Sequence, residues 1–107
     1  MKLVFVAGPL QDDLENVYKA MDVANQLADC GYLVYLPHLT HYWNVRLHRD
    51  RDYWLRLDLA ILPICDCLLR LSGDSDGADG EVRKARSLNI PVYFSIQDLV
   101  EAEKCIG

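Results

Sequence analysis

Residues 2–36 decide the fold, and they read KLVFVAGPLQDDLENVYKAMDVANQLADCGYLVYL. Residues 2–7 are apolar and rich in β-branched side chains, which is typical of a buried parallel strand. Apolar residues then recur at helical spacing over 13–29, and Gly31 is a natural helix stop. Residues 32–36 repeat the strand pattern. The stretch therefore predicts a strand, a helix and a second strand, which is the repeating unit of parallel sheets.

The same alternation continues to the end of the chain. We predict a helix over 50–62, a strand over 66–71, a helix over 78–88, a strand over 91–95 and a last helix over 96–105. Residues 38–49 mix aromatic and polar side chains without clean periodicity, so we expect a long loop there. Strands that alternate with helices predict an α/β fold with right-handed crossovers. We expect a single domain over residues 1–107, a Rossmann-like or flavodoxin-like three-layer sandwich with a parallel sheet of four to five strands.

The composition excludes several classes of protein. The chain has 107 residues, of which 51% are hydrophobic and 25% charged, so it is neither disordered nor collagen-like. Its net charge of −5 argues against non-specific binding to nucleic acid or to an anionic membrane surface. No apolar run reaches the roughly 18 residues of a membrane span. The first apolar stretch is short and is broken by Gly8-Pro9, so we interpret it as a strand and expect a cytoplasmic protein.

Neither the cysteines nor the histidines have the spacing of a metal site. The four cysteines, at 30, 65, 67 and 105, form no C-x-x-C pair, and we interpret them as free buried thiols rather than disulfides or metal ligands. His38, His41 and His48 share one polar segment without a supporting cysteine or acidic ligand. We therefore predict no metal and no cofactor.

The turns at one edge of the predicted sheet are where chemistry is expected. In such sheets, ligands bind beyond the carboxyl ends of the strands, which places 7–9, 37–38 and the glycine-rich acidic segment 72–80 together. Gly8 would let a ligand approach the backbone, although an ordinary strand-to-helix turn has the same pattern. No Lys-Ser or Lys-Thr follows it, so it is not a P-loop, and the three-glycine dinucleotide fingerprint is absent.

Two carboxyl groups lie on the apolar faces of predicted helices. Asp58 shares a helix side with Trp54 and Leu62, and Glu81 shares one with Ala78 and Ala85. Burial of a carboxyl group is costly unless it is paired, hydrogen-bonded or protonated, and desolvation favours the neutral form that suits a general acid.

Each of these acids also has a plainer interpretation. A solvated Asp58 paired with Arg51 or Arg56 is the alternative for that residue. We interpret Asp74, Asp76 and Asp79 as a solvated turn with capping roles. If both acids point inward at the ligand edge, they form a pair with a known mechanism. One acid protonates a leaving group while the other attacks as a nucleophile or activates water, as glycosidic bonds require.

Four segments in order carry a resemblance to a known family. They are VFVAGPL (4–10), GYLVYLPH (31–38), DLAILPICDCLLRL (58–71) and an S-x-G-x-x-x-E motif at Ser75, Gly77 and Glu81. The sequence resembles the nucleoside 2-deoxyribosyltransferase-like superfamily, which includes nucleoside deoxyribosyltransferases and 2'-deoxynucleoside 5'-phosphate N-hydrolases. It is most similar to the small bacterial and phage members.

The resemblance implies roles for seven residues. Glu81 matches the catalytic nucleophile that attacks C1' of the sugar, and Asp58 matches the aspartate that handles the leaving base or orients the sugar. The residues that would contact the substrate are Gly8, Pro9, His38, Ser75 and Gly77. The implied partner is a small-molecule nucleoside or nucleotide, and family members often share sites between subunits, so a homo-oligomer is expected. Asp74 after Gly73 departs from the family pattern and adds negative charge beside the loop expected to bind phosphate.

Two other classes of function stay open at this point. The same fold and pocket would also suit a non-catalytic module that binds a nucleotide signal without turnover. A structural or assembly role could use the aromatic residues Tyr42, Trp43, Tyr53 and Trp54, which we interpret as core and subunit contacts in preference to a base-stacking platform.

Overall fold

The computed structural model describes residues 2–11 and 13–104. The helices and strands alternate along these residues as follows: β1 (Leu3–Ala7), α1 (Leu14–Asp29), β2 (Leu33–Tyr35), α2 (Thr40–Arg46), α3 (Arg51–Ile61), β3 (Cys67–Arg70), α4 (Asp76–Ser87), β4 (Val92–Tyr93) and α5 (Ile96–Ala102). Short 3₁₀ turns at Pro37–Leu39 and Leu62–Ile64 precede α2 and follow α3.

The four strands form one parallel sheet in the order β2-β1-β3-β4. This confirms the predicted α/β class and gives the lower of the two expected strand numbers. The chain moves to one side of β1 first and to the other side afterwards, so the strand order reverses between β1 and β3. A crevice opens at the carboxyl ends of strands at such a reversal, which is where ligands bind in folds of this kind.

Helices cover both faces of the sheet and make the three-layer sandwich. On one face, Phe5 and Leu68 pack with the α4 residues Ala78 and Ala85. On the other face, the fully buried residues include Val6 of β1, Leu27 of α1 and Leu99 of α5. All four residues of β3 are buried, which is why the sequence of this strand is a nearly continuous apolar run.

The prediction of a long loop over 38–49 is wrong. Most of this segment is the 3₁₀ turn and α2, and the loop is confined to the residues between α2 and α3. The preceding turn buries Pro37 and His38, and the residue that α2 itself buries is His41, whereas Tyr42, Trp43 and Val45 stay exposed. The inward face is therefore polar and the outward face apolar, and this inversion hides the helical period from a hydrophobicity pattern.

Glu103 ties the beginning and the end of the described chain together at the amino edge of the sheet. Lys2 Nζ lies 3.1 Å from Glu103 Oε1, and the Tyr93 hydroxyl donates to Glu103 Oε2 at 2.7 Å. The Tyr32 hydroxyl donates to the backbone carbonyl of Glu103. This cluster lies at the opposite edge from the crevice.

The cysteines are free thiols where they are described, but they are not all buried. Cys65 and Cys67 are buried as predicted, whereas Cys30 at the end of α1 is exposed, because it caps the helix on the solvent side. Cys105 lies outside the described residues, and the helix predicted over 96–105 ends earlier, at Ala102. Among the helices that the structure describes, none is long and apolar enough to cross a membrane.

Candidate active site

A cavity of about 520 Å³ occupies the crevice at the carboxyl end of β1, enclosed by α2, α3 and the start of α4. Six of the seven residues singled out in the sequence line it: Gly8, His38, Asp58, Ser75, Gly77 and Glu81. The fold thus brings together residues from four separate segments of the chain. The seventh residue, Pro9, is not among those that line the cavity.

Gly8 and Pro9 have packing roles that the sequence does not reveal. A Cβ on Gly8 would lie 2.8 Å from Leu71 Cβ. The ends of β1 and β3 are therefore too close together for a side chain at position 8. Gly73 has φ +108, and a Cβ there would lie 2.8 Å from Pro9 Cγ. The Pro9 ring therefore packs against Gly73 in the turn after β3, and its contact with substrate stays a prediction.

His38 fastens the turn after β1 to the turn after β2. Its side chain is 2% exposed, and its Nε2 lies 3.1 Å from the Pro9 carbonyl oxygen. Since a carbonyl can only accept, Nε2 carries a proton. Burial lowers the pKa of His38, and Nδ1 is a buried atom without a hydrogen-bond partner among the described residues. The neutral ring therefore presents one unused acceptor in the wall of the cavity.

Asp58 and Glu81 meet at the inner end of the cavity. Asp58 projects from α3 and is 8% exposed, and Glu81 projects from α4 and is 6% exposed. Their carboxyl groups are close enough to influence each other's protonation, and the Tyr35 hydroxyl donates to Asp58 Oδ1 at 3.1 Å. Asp58 forms no ion pair with Arg51 or Arg56, so the solvated alternative for this residue is excluded.

Burial makes both carboxyl groups hold protons more tightly than in water. Desolvation raises the pKa of Asp58 to about 6, partly offset by its hydrogen bonds to Tyr35 and Glu81. Desolvation and the negative charge of Asp58 raise the pKa of Glu81 to about 8, against a smaller lowering by Arg70. Between these two values the pair holds one proton, which belongs to both groups together. A buried pair of this kind contains one acid and one carboxylate near neutral pH.

Arg70 is a buried residue of this site that the sequence analysis missed. It is the last residue of β3 and donates to the carbonyls of Leu71 and Gly73, the latter at 2.9 Å. It also lies 3.0 Å from Asp79 Oδ1 in the first turn of α4. A lone arginine at the end of an otherwise apolar strand is the signal that could have identified it, because a buried cation needs several acceptors.

Helix α4 begins at Asp76 rather than at 78, so Gly77 belongs to its first turn and not to a loop. Ser75 is the N-cap, and its Oγ accepts from the backbone N–H of Ala78 at 3.1 Å. Asp76 and Asp79 favour this start, because negative side chains are stabilising in a first turn. A glycine costs little there, since the first-turn amides have no partner within the helix. Ser75, Asp76 and Gly77, at the start of the helix, line the cavity.

Aromatic and basic residues form the outer wall. The Trp54 indole Nε1 donates to Asn44 Oδ1 at 3.0 Å, which holds the ring at the cavity, and Arg49 stacks 4.6 Å above the Tyr53 ring. Arg49 and Arg51 both line the cavity, although the whole chain is acidic. Of the four aromatic residues considered for an assembly role, Trp54 lines the cavity, and Tyr42 and Trp43 are nearly half exposed. Within residues 2–11 and 13–104, no group of three His, Cys, Asp or Glu side chains could hold a metal ion.

Comparisons with known proteins agree with the fold. A family model described as a domain of unknown function (DUF7768) matches residues 2–95. The structure is similar to that of a 2-deoxyribosyltransferase from the psychrotolerant bacterium Bacillus psychrosaccharolyticus, with a TM-score of 0.52 and 22% identity over 84% of this chain and 69% of that one. This similarity confirms the fold that the resemblance implied. No curated protein matches the chain.

Proposed function

We propose that this chain, which belongs to the family described as a domain of unknown function (DUF7768), is an enzyme that cleaves the N-glycosidic bond of a nucleoside or nucleoside 5'-monophosphate. The observation that carries the proposal is the meeting of two buried carboxyl groups, Asp58 and Glu81, in one cavity. Such a pair supplies the acid and the nucleophile that an oxocarbenium-like transition state requires. The fold shared with a 2-deoxyribosyltransferase supports the same chemistry.

The proposed reaction has two steps, and each conserves protons. The Glu81 carboxylate attacks C1' of the sugar, the C1'–N bond breaks, and its electron pair leaves with the base as Asp58 donates a proton to it. Water then attacks C1' of the glycosyl ester on Glu81 and gives its proton to Asp58. The sugar departs and both carboxyl groups return to their starting states. In 2-deoxyribosyl transfer, a second base would take the place of water.

The number of protons on the carboxyl pair suits this division of roles. The ligand-free pair holds a single proton between about pH 6 and 8. The reactive state also has one proton, carried by Asp58 instead of Glu81, so substrate binding needs to move the proton but not to add or remove one. Because the two carboxyl groups are neighbours, the proton has only a short distance to move.

We assign substrate contacts to the remaining lining residues. A cavity of about 520 Å³ lies within the range of roughly 300–1,000 Å³ that small-molecule sites occupy. Gly8 and His38 would line the sugar and base, and Ser75 and Gly77 would receive the 5' end at the start of α4. Arg49 and Arg51 supply positive charge for a 5'-phosphate, which offsets the nearby exposed Asp74.

The test is to incubate the protein with deoxy- and ribonucleosides and their monophosphates and to measure free base by chromatography. We expect base release by the natural chain and a loss of about 10²–10⁴-fold in kcat for Glu81→Gln. Glu101→Gln, which changes an exposed glutamate of α5, should keep full activity. Equal base release by the natural chain and Glu81→Gln would contradict the proposal. Tight nucleotide binding without any product would instead support a sensing module.

We also propose a homo-oligomer assembled through the outer surfaces of α3 and α4. A second, more open groove of about 750 Å³ lies there, with Leu55, Leu59 and Ala60 among its lining residues, and it shares Glu81 with the cavity. Light scattering should give at least twice the mass of one chain, and Leu59→Glu should reduce it to one. Leu14→Glu, at a similarly exposed apolar residue of α1, is the matched control. A natural chain that is monomeric at high concentration would contradict this assembly.

Two further assignments accompany this function. We propose that residues 1–107 form a single nucleoside 2-deoxyribosyltransferase-like domain and that the protein works in the cytoplasm. The buried free thiols of Cys65 and Cys67 suit a reducing compartment.

A further inference from the structure

Tyr35 is the residue closest to the carboxyl pair that the proposed reaction does not use. It is the last residue of β2, and its ring packs against Phe5 with the centroids 5.4 Å apart. Tyr35 is half-buried and is not among the residues that line the cavity. Its hydroxyl nevertheless reaches Asp58 Oδ1 at 3.1 Å. A continuous line of contacts therefore runs from β2 through Asp58 to Glu81.

Few charged or titratable groups face Tyr35, Asp58 and Glu81, and these groups have defined partners. Asp58 faces Tyr35 and Glu81, and Glu81 faces Asp58 and the more distant Arg70. Tyr35 faces Asp58, Glu81 and Cys65. Arg70 is already engaged by Asp79 and by two backbone carbonyls. Tyr35 is thus the donor that is directly bonded to the pair from outside the cavity.

The environment of Tyr35 keeps its hydroxyl protonated. Desolvation and the negative charges of Asp58 and Glu81 raise the pKa of Tyr35 above its ordinary value. A hydroxyl that keeps its proton can act towards a carboxylate only as a donor. Its hydrogen bond stabilises the ionised form of Asp58 and lowers the pKa of that carboxyl.

We infer that Tyr35 is a positioning residue of this site, which holds the Asp58 carboxyl against Glu81 and makes Glu81 the member of the pair that carries the proton before substrate binds. The inference rests on the proposed function for its catalytic meaning. In that state the nucleophile is masked, because a protonated Glu81 cannot attack C1'. Substrate binding moves the proton from Glu81 to Asp58. The same event therefore ionises the nucleophile and protonates the acid.

The direct test is a titration of the carboxyl carbons by ¹³C NMR in the natural chain and in Tyr35→Phe. Without the hydroxyl the Asp58 carboxylate loses a donor, so the first of the two titrations of the pair should move to higher pH, by about one unit. The matched control is Tyr93→Phe, which removes a tyrosine hydroxyl from Glu103 at the other edge of the sheet. The control should leave the titrations of the pair in place. An unchanged titration in Tyr35→Phe would overturn the inference.

Kinetics give a second measurement that a purely structural role would not affect. The acid limb of the pH profile of kcat/KM should move to higher pH in Tyr35→Phe, with KM within about twofold. Full activity with an unshifted profile would contradict the role of Tyr35. If Tyr35→Phe does not fold, 3-fluorotyrosine placed at position 35 is a stronger donor in the same ring and should shift the first titration to lower pH.

The two proposals fail in different ways. The NMR titration needs no turnover, so it reports on Tyr35 even if no nucleoside is cleaved. A natural chain that never releases base contradicts the proposed function and leaves the titration result standing. An active natural chain whose Tyr35→Phe variant titrates normally contradicts the role of Tyr35 alone.

Discussion

Arg70 shows how much one buried side chain contributes to the candidate site. Its guanidinium donates to the carbonyls of Leu71 and Gly73 and pairs with Asp79, so it joins the turn after β3 to the start of α4. Replacement by methionine keeps the length of the side chain but leaves these acceptors without a donor. We expect Arg70→Met to lower the free energy of unfolding by about 2–4 kcal/mol, measured by urea denaturation.

The control for this prediction is Arg86→Met, which replaces an exposed arginine in the last turn of α4. Its free energy of unfolding should stay within about 0.5 kcal/mol of the natural value. Equal effects of the two substitutions would mean that the contacts of Arg70 contribute little to stability.

At the residue scale, the sequence predicts positions on a helix better than contacts between elements. The inward direction of Asp58 and Glu81 follows from apolar neighbours three and four residues away, which the sequence displays directly. Tyr35 lies 23 positions from Asp58 in the sequence, and their contact joins β2 to α3, two elements that the tertiary fold brings together. No local pattern contains that information, so Tyr35 and Arg70 were not predicted.

The close approach of the ends of β1 and β3 restricts which residue can occupy position 8 in the wall of the cavity. In Gly8→Ala, the new Cβ would lie 2.8 Å from Leu71 Cβ, and one of the two strand ends must move. We expect a loss of about 1–3 kcal/mol in the free energy of unfolding and weaker nucleoside binding, since Gly8 lines the cavity. Chemical denaturation and calorimetry measure the two effects.

Gly80→Ala is the matched substitution within α4. The nearest heavy atom to its new Cβ is Arg83 Nη2 at 3.6 Å, which is an ordinary contact. Because alanine favours a helix over glycine, we expect a gain of about 0.5–1 kcal/mol. A loss at Gly80 equal to that at Gly8 would show that crowding at Leu71 is not the cause.

At the element scale, capping residues were more informative than hydrophobic periodicity. The helices predicted to begin at 50 and 96 have Asp50 and Ser95 as N-caps, and these side chains accept from the backbone N–H groups of Tyr53 and Asp98. The start of α4 was misplaced because Gly77 was interpreted as a loop residue, and α2 was missed because its inward face is polar. A helix whose inward face is polar lacks the apolar stripe that reveals helices of the core.

The stability of the whole molecule should depend on pH through the carboxyl pair. The folded pKa values of Asp58 and Glu81, about 6 and about 8, lie above the ordinary carboxyl range of the unfolded chain. The folded state therefore binds more protons between about pH 4 and 8, and stability falls as the pH rises through that window. We expect the melting temperature of the natural chain to decrease from pH 5 to pH 8.5.

Glu81→Gln separates this effect from all other titrations. The amide cannot ionise, so the variant should lose most of this dependence and exceed the natural chain at pH 8.5, by on the order of 1 kcal/mol or more. Glu101→Gln should follow the natural curve, since this glutamate is exposed. Parallel curves for Glu81→Gln and the natural chain would show that Glu81 ionises as readily in the folded state as in the unfolded one.

At the scale of the molecule, the fold was the most predictable property. Alternation of strands and helices leaves a chain of 107 residues only a few possible strand orders in a parallel sheet. Right-handed crossovers reduce that number further. The position of the site follows from the same rule, since the strand order reverses between β1 and β3. The identity of the ligand does not follow, because one fold supports many chemistries.

The cluster around Glu103 has a practical consequence for handling the protein. Lys2 and Glu103 are in contact at 3.1 Å, at the edge of the sheet opposite the cavity. A resin, sensor chip or fused carrier attached beside either residue would therefore point away from the opening of the cavity. Immobilised protein should keep its binding capacity, which makes screening of compound libraries on a surface a natural format for this molecule.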